Sequence, residues 1–195
     1  MPFLPPDRSK PEIRASALAA RDALSPERRA AAAEAVAARG LPFAVAPDTV
    51  VAGYAPIRSE FDPMPLLRRL ADAGARLALP VIMGREQPLQ FRGFSSSQAL
   101  ERGPLGIQQP TVASAKLIPE ILLVPLAAFD RTGHRIGYGA GYYDRSIEAL
   151  RAGNRTIAIG LAFAVQEIDA VPTLPHDAVL DYVLTETRTF DFRSS

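Results

Sequence analysis

The chain contains no cysteine and only two histidines, His134 and His176. The missing cysteine excludes a thiol nucleophile, a cysteine-ligated zinc site and a disulfide framework, and it fits a reducing cytoplasm. Two histidines cannot build a multi-histidine metal cluster. A strong charge of either sign is also missing: 22 Lys and Arg stand against 21 Asp and Glu, a net of +1. With a pI near 8.1 and no basic run interleaved with aromatics, the chain lacks the footprint of a nucleic-acid binder, whose domains lie above about 9. The longest clean apolar run, ILLVPLAAF at residues 121–129, is far short of the ~20 residues a membrane helix needs. The opening MPFLPPDRSK has no charged region followed by an apolar stretch, so it does not read as a secretory signal. A cytoplasmic protein with no membrane and no nucleic-acid partner is the expectation.

What is present suits one compact unit. A chain of 195 residues, 48% apolar, can bury roughly 70% of its unfolded surface. Residues 1–8 are proline-rich and read as a flexible tail; 9–195 read as a single domain. Ser9 and Glu12 form a capping box ahead of a helix over about 10–24. Ser25 and Pro26 start a second helix over 26–39, stopped by Gly40. Asp62 caps a third, to about Ala73. TVVAGYAP (49–56), RLALPVI (76–82), PLQFRGF (88–94), ILLVPL (121–126), TIAIGLAF (156–163) and DYVLTE (181–186) read as strands. Residues 95–119 read mostly as loop, with a short helical turn at 96–101. Strands alternating with helices imply a three-layer α/β/α sandwich with a mainly parallel sheet.

One segment carries the chemistry. RIGYGAGYYDRS, residues 135–146, lies between the buried strand 121–126 and a helix over 141–152. Glycine lets backbone N–H groups approach a ligand, and a helix N-terminus adds unpaired donors and a positive dipole end. Arg135 and Arg145 can each bridge two phosphate oxygens. Asp144 beside phosphates calls for a magnesium ion between them. The segment is neither a Walker loop nor a dinucleotide fingerprint, and a tight turn alone also accounts for its glycines.

LLVPLAAFDRTGHRIGYGAGYYDRSI, residues 122–147, resembles the signature of the 5-formyltetrahydrofolate cyclo-ligase (methenyltetrahydrofolate synthetase) family: a proline-containing strand, a Phe–Asp pair, then G-x-R-[ILV]-G-x-G-x-G-[YF]-Y-D-R. KPEIR near the N-terminus, APIRSEFDP (55–63), LPV (79–81) and LPHDAVLDYVLTE (174–186) extend the likeness over almost the whole chain. The resemblance implies a fold similar to ribose-phosphate isomerase and CoA-transferase domains. It also implies that magnesium and ATP convert 5-formyltetrahydrofolate into 5,10-methenyltetrahydrofolate, with release of ADP and phosphate. A monomer that meets only small molecules is expected.

The same resemblance assigns residues. Lys10 and Arg14, four apart on one helix face, are implied to contact ATP phosphates; Arg21 continues that face and reads as surface. Arg135, Gly137, Tyr138, Gly139, Ala140, Gly141, Tyr142, Tyr143 and Arg145 are implied to line the ATP site, with Arg135 and Tyr143 catalytic. Glu60, with Tyr138, Gly139 and Tyr142, is implied to border the folate. One of Tyr142 and Tyr143 is expected to stack on a ring while the other packs into the sheet. Asp144 and Asp177 are the metal candidates, with Asp181 less favoured. His134 and His176 read as structural or solvent-facing. Two positions depart from the family pattern: Ala140 stands where relatives often carry glycine or lysine, and Gln109 where many carry a carboxylate. A non-catalytic nucleotide- or folate-binding module and an isomerase or CoA-transferase on the same fold are the competing readings.

Overall fold

The computed structural model of the chain describes residues 9–95 and 98–193; the tail expected over 1–8 lies outside them. The first three described α-helices start where side chains satisfy their first turns. Helix α1 (Lys10–Asp22) begins after Ser9, whose N–H and hydroxyl both donate to the Glu12 carboxylate, at 2.8 and 2.7 Å. In α2 (Pro26–Arg39), Ser25 Oγ accepts from the Arg28 N–H at 3.3 Å, and the chain turns away at Gly40. At the start of α3 (Met64–Asp72), Asp62 Oδ1 accepts from the Met64 N–H at 2.9 Å, the capping role expected of it. The fourth, α4 (Tyr142–Gly153), follows the glycine segment. None of the helices among the described residues is long and apolar enough to cross a membrane.

The strands are β1 (Val50–Ala52), β2 (Arg76–Val81), β3 (Gln90–Gly93), a ribbon of β4 (Glu101–Arg102) and β5 (Gln108–Gln109), β6 (Lys116–Leu117), β7 (Ile121–Pro125), a second ribbon of β8 (Ala128–Phe129) and β9 (Arg135–Ile136), β10 (Ile157–Leu161), β11 (Tyr182–Leu184) and β12 (Thr189–Asp191). Several are shorter than the sequence suggests, because residues such as 53–56 leave the ladder to build loops. The helical turn expected at 96–101 is absent over its described part. Gly103 and Pro104 instead turn the chain into the β4–β5 ribbon.

Five strands run parallel in the order β2-β1-β7-β10-β11; β12 on one side and β3 and β6 on the other add antiparallel edges. Alternation along β7 divides the core. Ile121 and Leu123 pack with Val36 of α2 and Leu66 and Leu67 of α3. Leu122 and Val124 pack with Ile147 of α4 on the opposite face. A continuous apolar strand is what two covered faces require, and the expected α/β/α layering follows.

This topology makes a crevice. From β1 the chain passes through α3 to β2 on one side, whereas from β7 it passes through α4 to β10 on the other. The two crossovers lie on opposite faces, so the loops leaving β1 and β7 part at the carboxyl ends of the strands, where such sheets bind ligands. Helix α1 closes this end, its Ile13 and Ala17 packed on Ala127, Ala128 and Ile136.

The glycine segment does not follow β7 directly. The β8–β9 ribbon intervenes, organised by Asp130, which is 4% exposed. Its Oδ1 accepts from the Thr132 N–H (2.9 Å), the Thr132 hydroxyl (2.6 Å) and the His134 N–H (3.2 Å); its Oδ2 accepts from the Val171 N–H (2.9 Å). Asp130→Ala strands these donors, each at about 1–3 kcal/mol where water cannot reach it. Urea unfolding should therefore show a loss of at least about 2 kcal/mol; an unchanged midpoint would remove Asp130 from this role.

Candidate functional site

Within the glycine segment the three glycines differ. Gly139 and Gly141 take positive φ, 95° and 67°, which other L-residues rarely adopt; they make the turn. Gly137 does not, and a Cβ added there would meet nothing within 4 Å. Its bare backbone leaves open space in front of the loop rather than serving the fold. Ala140 lies between the two left-handed positions and shares neither's φ, so the alanine fits this backbone. Gly141 caps α4 without a side chain, which leaves the first-turn N–H groups facing out of the helix end.

Cations surround this loop. Positions 10, 14, 17 and 21 of α1 advance by four, three and four, and so form one stripe. Lys10 Nζ donates to Asp177 Oδ2 at 2.5 Å. Arg14 Nε donates to the Gly137 carbonyl at 2.7 Å, with its guanidinium alongside Gly139. From α4, Arg145 Nη2 reaches the carbonyls of Ala140 (2.8 Å) and Arg85 (3.1 Å), and its guanidinium lies 5.5 Å from the Tyr142 ring centre. This ties the β2–β3 turn to the loop. Arg135 lies behind it, 7% exposed. Its Nη2 donates to Asp144 Oδ1 (2.8 Å) and its Nη1 to the Ala178 carbonyl (2.6 Å). Burial pulls the Arg135 pKa down and Asp144 opposes this, which leaves a guanidinium, charged at any working pH.

Both metal candidates meet a cation through one oxygen. Asp144 Oδ1 takes Arg135 and the Ala178 N–H (3.1 Å). Asp177 Oδ2 takes Lys10 and the Leu174 N–H (2.7 Å). Burial works against the Asp177 charge, but the Lys10 ammonium and that N–H together hold its carboxyl below the ordinary value. Among the described residues Asp144 Oδ2 and Asp177 Oδ1 accept no hydrogen bond. No group of three or more metal-ligating side chains gathers among those residues. The arrangement fits an ion held by one or two carboxylates plus phosphate oxygens, the habit of magnesium, and not an all-protein cage. Asp181 is engaged elsewhere, with Arg151 and the Ala158 N–H, both at 2.7 Å.

The loop after β1 supplies the other side of the crevice. Glu60 is 9% exposed; its Oε2 accepts from the Ile57 N–H at 2.8 Å, and the Tyr138 hydroxyl, which donates to the Leu126 carbonyl at 3.5 Å, lies close enough to act on the same carboxylate. Burial raises the Glu60 pKa, while Ile57, Tyr138 and Arg21 restrain it. Tyr138 keeps its ring 44% exposed with its hydroxyl turned inward. Of the adjacent tyrosines, Tyr143 packs into the sheet. Burial raises its pKa far above that of a free phenol, so it is a neutral donor, and both Glu60 and Arg135 act on it. Tyr142 remains at the edge under Arg145.

Arg21, expected on the surface, is 4% exposed. Its Nη1 donates to the Tyr138 hydroxyl at 2.5 Å and its Nε to Ser59 Oγ at 3.0 Å. The signal was its place in the Lys10–Arg14 stripe; what composition could not show was the loop folded over it. Sequence reasoning also passed over Ser59, bonded to Asp22, and Tyr54, whose buried hydroxyl donates to the Phe61 carbonyl at 2.7 Å. His134 is half-buried against Thr132 and His176 is exposed. Gln109 is buried in the β4–β5 ribbon, at 3.4 Å from Glu101.

The sequence model of the 5-formyltetrahydrofolate cyclo-ligase family matches residues 6–186. The chain is 33% identical to the 5-formyltetrahydrofolate cyclo-ligase of Mycolicibacterium smegmatis over 93% of its own length and 95% of the relative's. It is 29% identical to that of Escherichia coli K12 over 88% and 97%. Its fold is similar to the NMR structure of Aquifex aeolicus 5,10-methenyltetrahydrofolate synthetase, with a TM-score of 0.77 and 31% identity, over 95% of this chain and 94% of that one.

A carboxyl whose folded pKa lies above its unfolded one stabilises below the unfolded value and loses that contribution as pH rises through the folded value. For Glu60 the shift is upward, so the buried charge weakens the fold at neutral pH. Glu60→Gln should raise thermal stability at pH 7, with the gain shrinking as pH falls and Glu60 becomes protonated. Melting curves at pH 7 and pH 4.5 check this; a gain that grows toward acid overturns the assignment.

Proposed function

The chain belongs to the 5-formyltetrahydrofolate cyclo-ligase family, and we propose that it converts 5-formyltetrahydrofolate to 5,10-methenyltetrahydrofolate, using ATP and releasing ADP and phosphate. The observation that carries this reading is the meeting, in one crevice, of a cation-ringed glycine loop from β9–α4 and the buried Glu60 loop after β1, the two joined by Arg21, which bonds both Tyr138 and Ser59. One half suits a triphosphate and the other an amino-pyrimidinone ring.

An N-formyl oxygen is a poor leaving group. In the proposed reaction it attacks the γ-phosphorus of ATP, and ADP departs with the electron pair of the broken P–O bond. The lone pair of N10 then adds to the activated formyl carbon, the C–O bond breaks with its electron pair going to phosphate, and the N10 proton is lost to that phosphate as the five-membered ring forms. No protein nucleophile is needed, which suits a chain without cysteine. The protein's part is positioning and charge stabilisation.

Lys10, Arg14 and Arg145, with the open N–H groups at the start of α4, are assigned to the phosphates. Arg135 supplies a buried positive charge behind the loop and holds Asp144. Asp144, with Asp177 beside it, would hold magnesium through the oxygens left free; the ion neutralises phosphate charge there. The neutral Tyr143 phenol is assigned as a hydrogen-bond donor to the reacting oxygens. Glu60 accepts paired N–H bonds from the folate ring, and the exposed face of Tyr138, with Gly139 and Tyr142, borders it. The β2–β3 turn that Arg145 draws onto the loop helps keep water from the activated intermediate. A monomer built as one domain over 9–195 is part of the same reading. A cytoplasmic setting, where ATP and reduced folates are at hand, completes the reading.

Pure protein with ATP, magnesium and 5-formyltetrahydrofolate should produce the absorbance of methenyltetrahydrofolate, and chelation of the metal should stop it. Absence of turnover with all three present defeats the proposal. Asp144→Asn should fold normally and lose magnesium-dependent turnover; retained activity would undo the metal assignment. Gly137→Ala should leave the melting temperature unchanged, because its Cβ meets only open space, yet raise KM for ATP about tenfold, the loss of one or two charge-assisted hydrogen bonds. An unchanged KM would return the glycines to a turn-making role alone.

A further inference from the structure

Arg21 is one of the most deeply buried charges in the chain, and its immediate partners are neutral: Ser59 Oγ and the Tyr138 hydroxyl. Asp22, at 3.8 Å, has its own side chain 62% exposed to water. A buried guanidinium is costly without a counter-charge. Asp22 answers part of that cost, directly and through Ser59, which donates to it; the buried carboxylate that Arg21 also acts on is Glu60, next in the chain to Ser59. Arg21 Nη1 donates to the Tyr138 oxygen at 2.5 Å, the Tyr138 hydroxyl donates to the Leu126 carbonyl at 3.5 Å, and Arg21 Nε donates at 3.0 Å to Ser59 Oγ, one residue before Glu60. Glu60 is held from its other side by the Ile57 N–H.

We propose that Arg21 is a positioning residue, which clamps Tyr138 and the Ser59–Glu60 loop together and so fixes the carboxylate that receives the folate ring in register with the phosphate loop. The register follows from a shared support. Arg14 grips the carbonyl of Gly137 and Arg21 grips the side chain of the next residue, Tyr138. The two arginines lie seven residues apart, two turns of one rigid helix. Helix α1 thus sets the phosphate half and the folate half of the crevice from a single face. The inference rests on the folate role assigned to Glu60. The groups facing Glu60 are Arg21 from α1, Tyr54 from the segment after β1, and Tyr138 and Tyr143 from the glycine segment and α4; Asp22 and Asp62 lie further out. Arg21 is the cation among those acting on Glu60, so its removal favours protonation of that carboxyl.

Steady-state kinetics across pH on the full chain tests this, with Arg21→Met, Arg21→Lys, Tyr138→Phe, the Arg21→Met/Tyr138→Phe double variant and Glu60→Gln. Arg21→Met should raise KM for 5-formyltetrahydrofolate about tenfold, one charge-assisted hydrogen bond, with KM for ATP within about twofold. It should also move the acid limb of kcat/KM for the folate to higher pH. Arg21→Lys should restore the acid limb through its charge while recovering only part of KM. The double variant should be no worse than Arg21→Met, since both changes break one chain of contacts. Equal losses for ATP and folate, an unmoved acid limb or additive effects overturn the proposal. If Arg21→Met does not fold, Tyr138→Phe alone decides: an unchanged folate KM overturns it. If Glu60→Gln raises folate KM while Arg21→Met does not, the clamp fails and the folate role of Glu60 stands. If Glu60→Gln has no effect, that role fails and the clamp falls with it.

Discussion

Arg14 donates to the Gly137 carbonyl at 2.7 Å, and that bond joins the first helix of the chain to a loop more than a hundred residues away. Much of the crevice depends on it. The glycine segment has little side-chain mass with which to pack, and two of its residues take backbone angles that only glycine adopts freely. Such a loop does not hold a shape by itself. It is held by cations that approach its carbonyls: Arg14 from α1 and Arg145 from α4. The same cations are the groups a triphosphate would meet, so the supports of the loop are also its chemistry.

The charges that build this region work against the fold. Glu60, Arg21 and Arg135 are nearly removed from water, and a buried charge costs free energy unless it is paired and hydrogen-bonded. The molecule answers with chains of partners: Arg135 with Asp144 and a backbone carbonyl, Arg21 with Tyr138 and Ser59, Glu60 with the Ile57 N–H. These networks lie at the end of a sheet whose central strands bury apolar side chains on both faces. That separation places strain at the carboxyl ends of the strands and leaves the layers beneath free to supply the stability.

Much of the architecture was legible in order. Capping residues located the helix starts, because the hydrogen bonds involved span three residues and need no tertiary partner. The strand 121–125 was legible because burial on both faces leaves no polar position. Less legible were β12, the β8–β9 ribbon and the two-residue strands, which exist only because a neighbouring strand offers its edge. Over its described part the helical turn expected at 96–101 failed for the same reason, since pairing across the β4–β5 ribbon decided the local shape.

The chain's residues alone determined the kind of chemistry available. A glycine-rich segment flanked by arginines, a lysine and arginine one helical turn apart, and no thiol all follow from residue types and short spacings. Tertiary structure decided which charges face each other. Asp144 turns to Arg135, Asp177 to Lys10, and Arg21 inward to Tyr138 rather than to solvent. The physical reason is distance along the chain. Such pairs lie as far as 167 residues apart, their energy depends on separation in space and on loss of water, and neither exists until the sheet has brought the strand ends together.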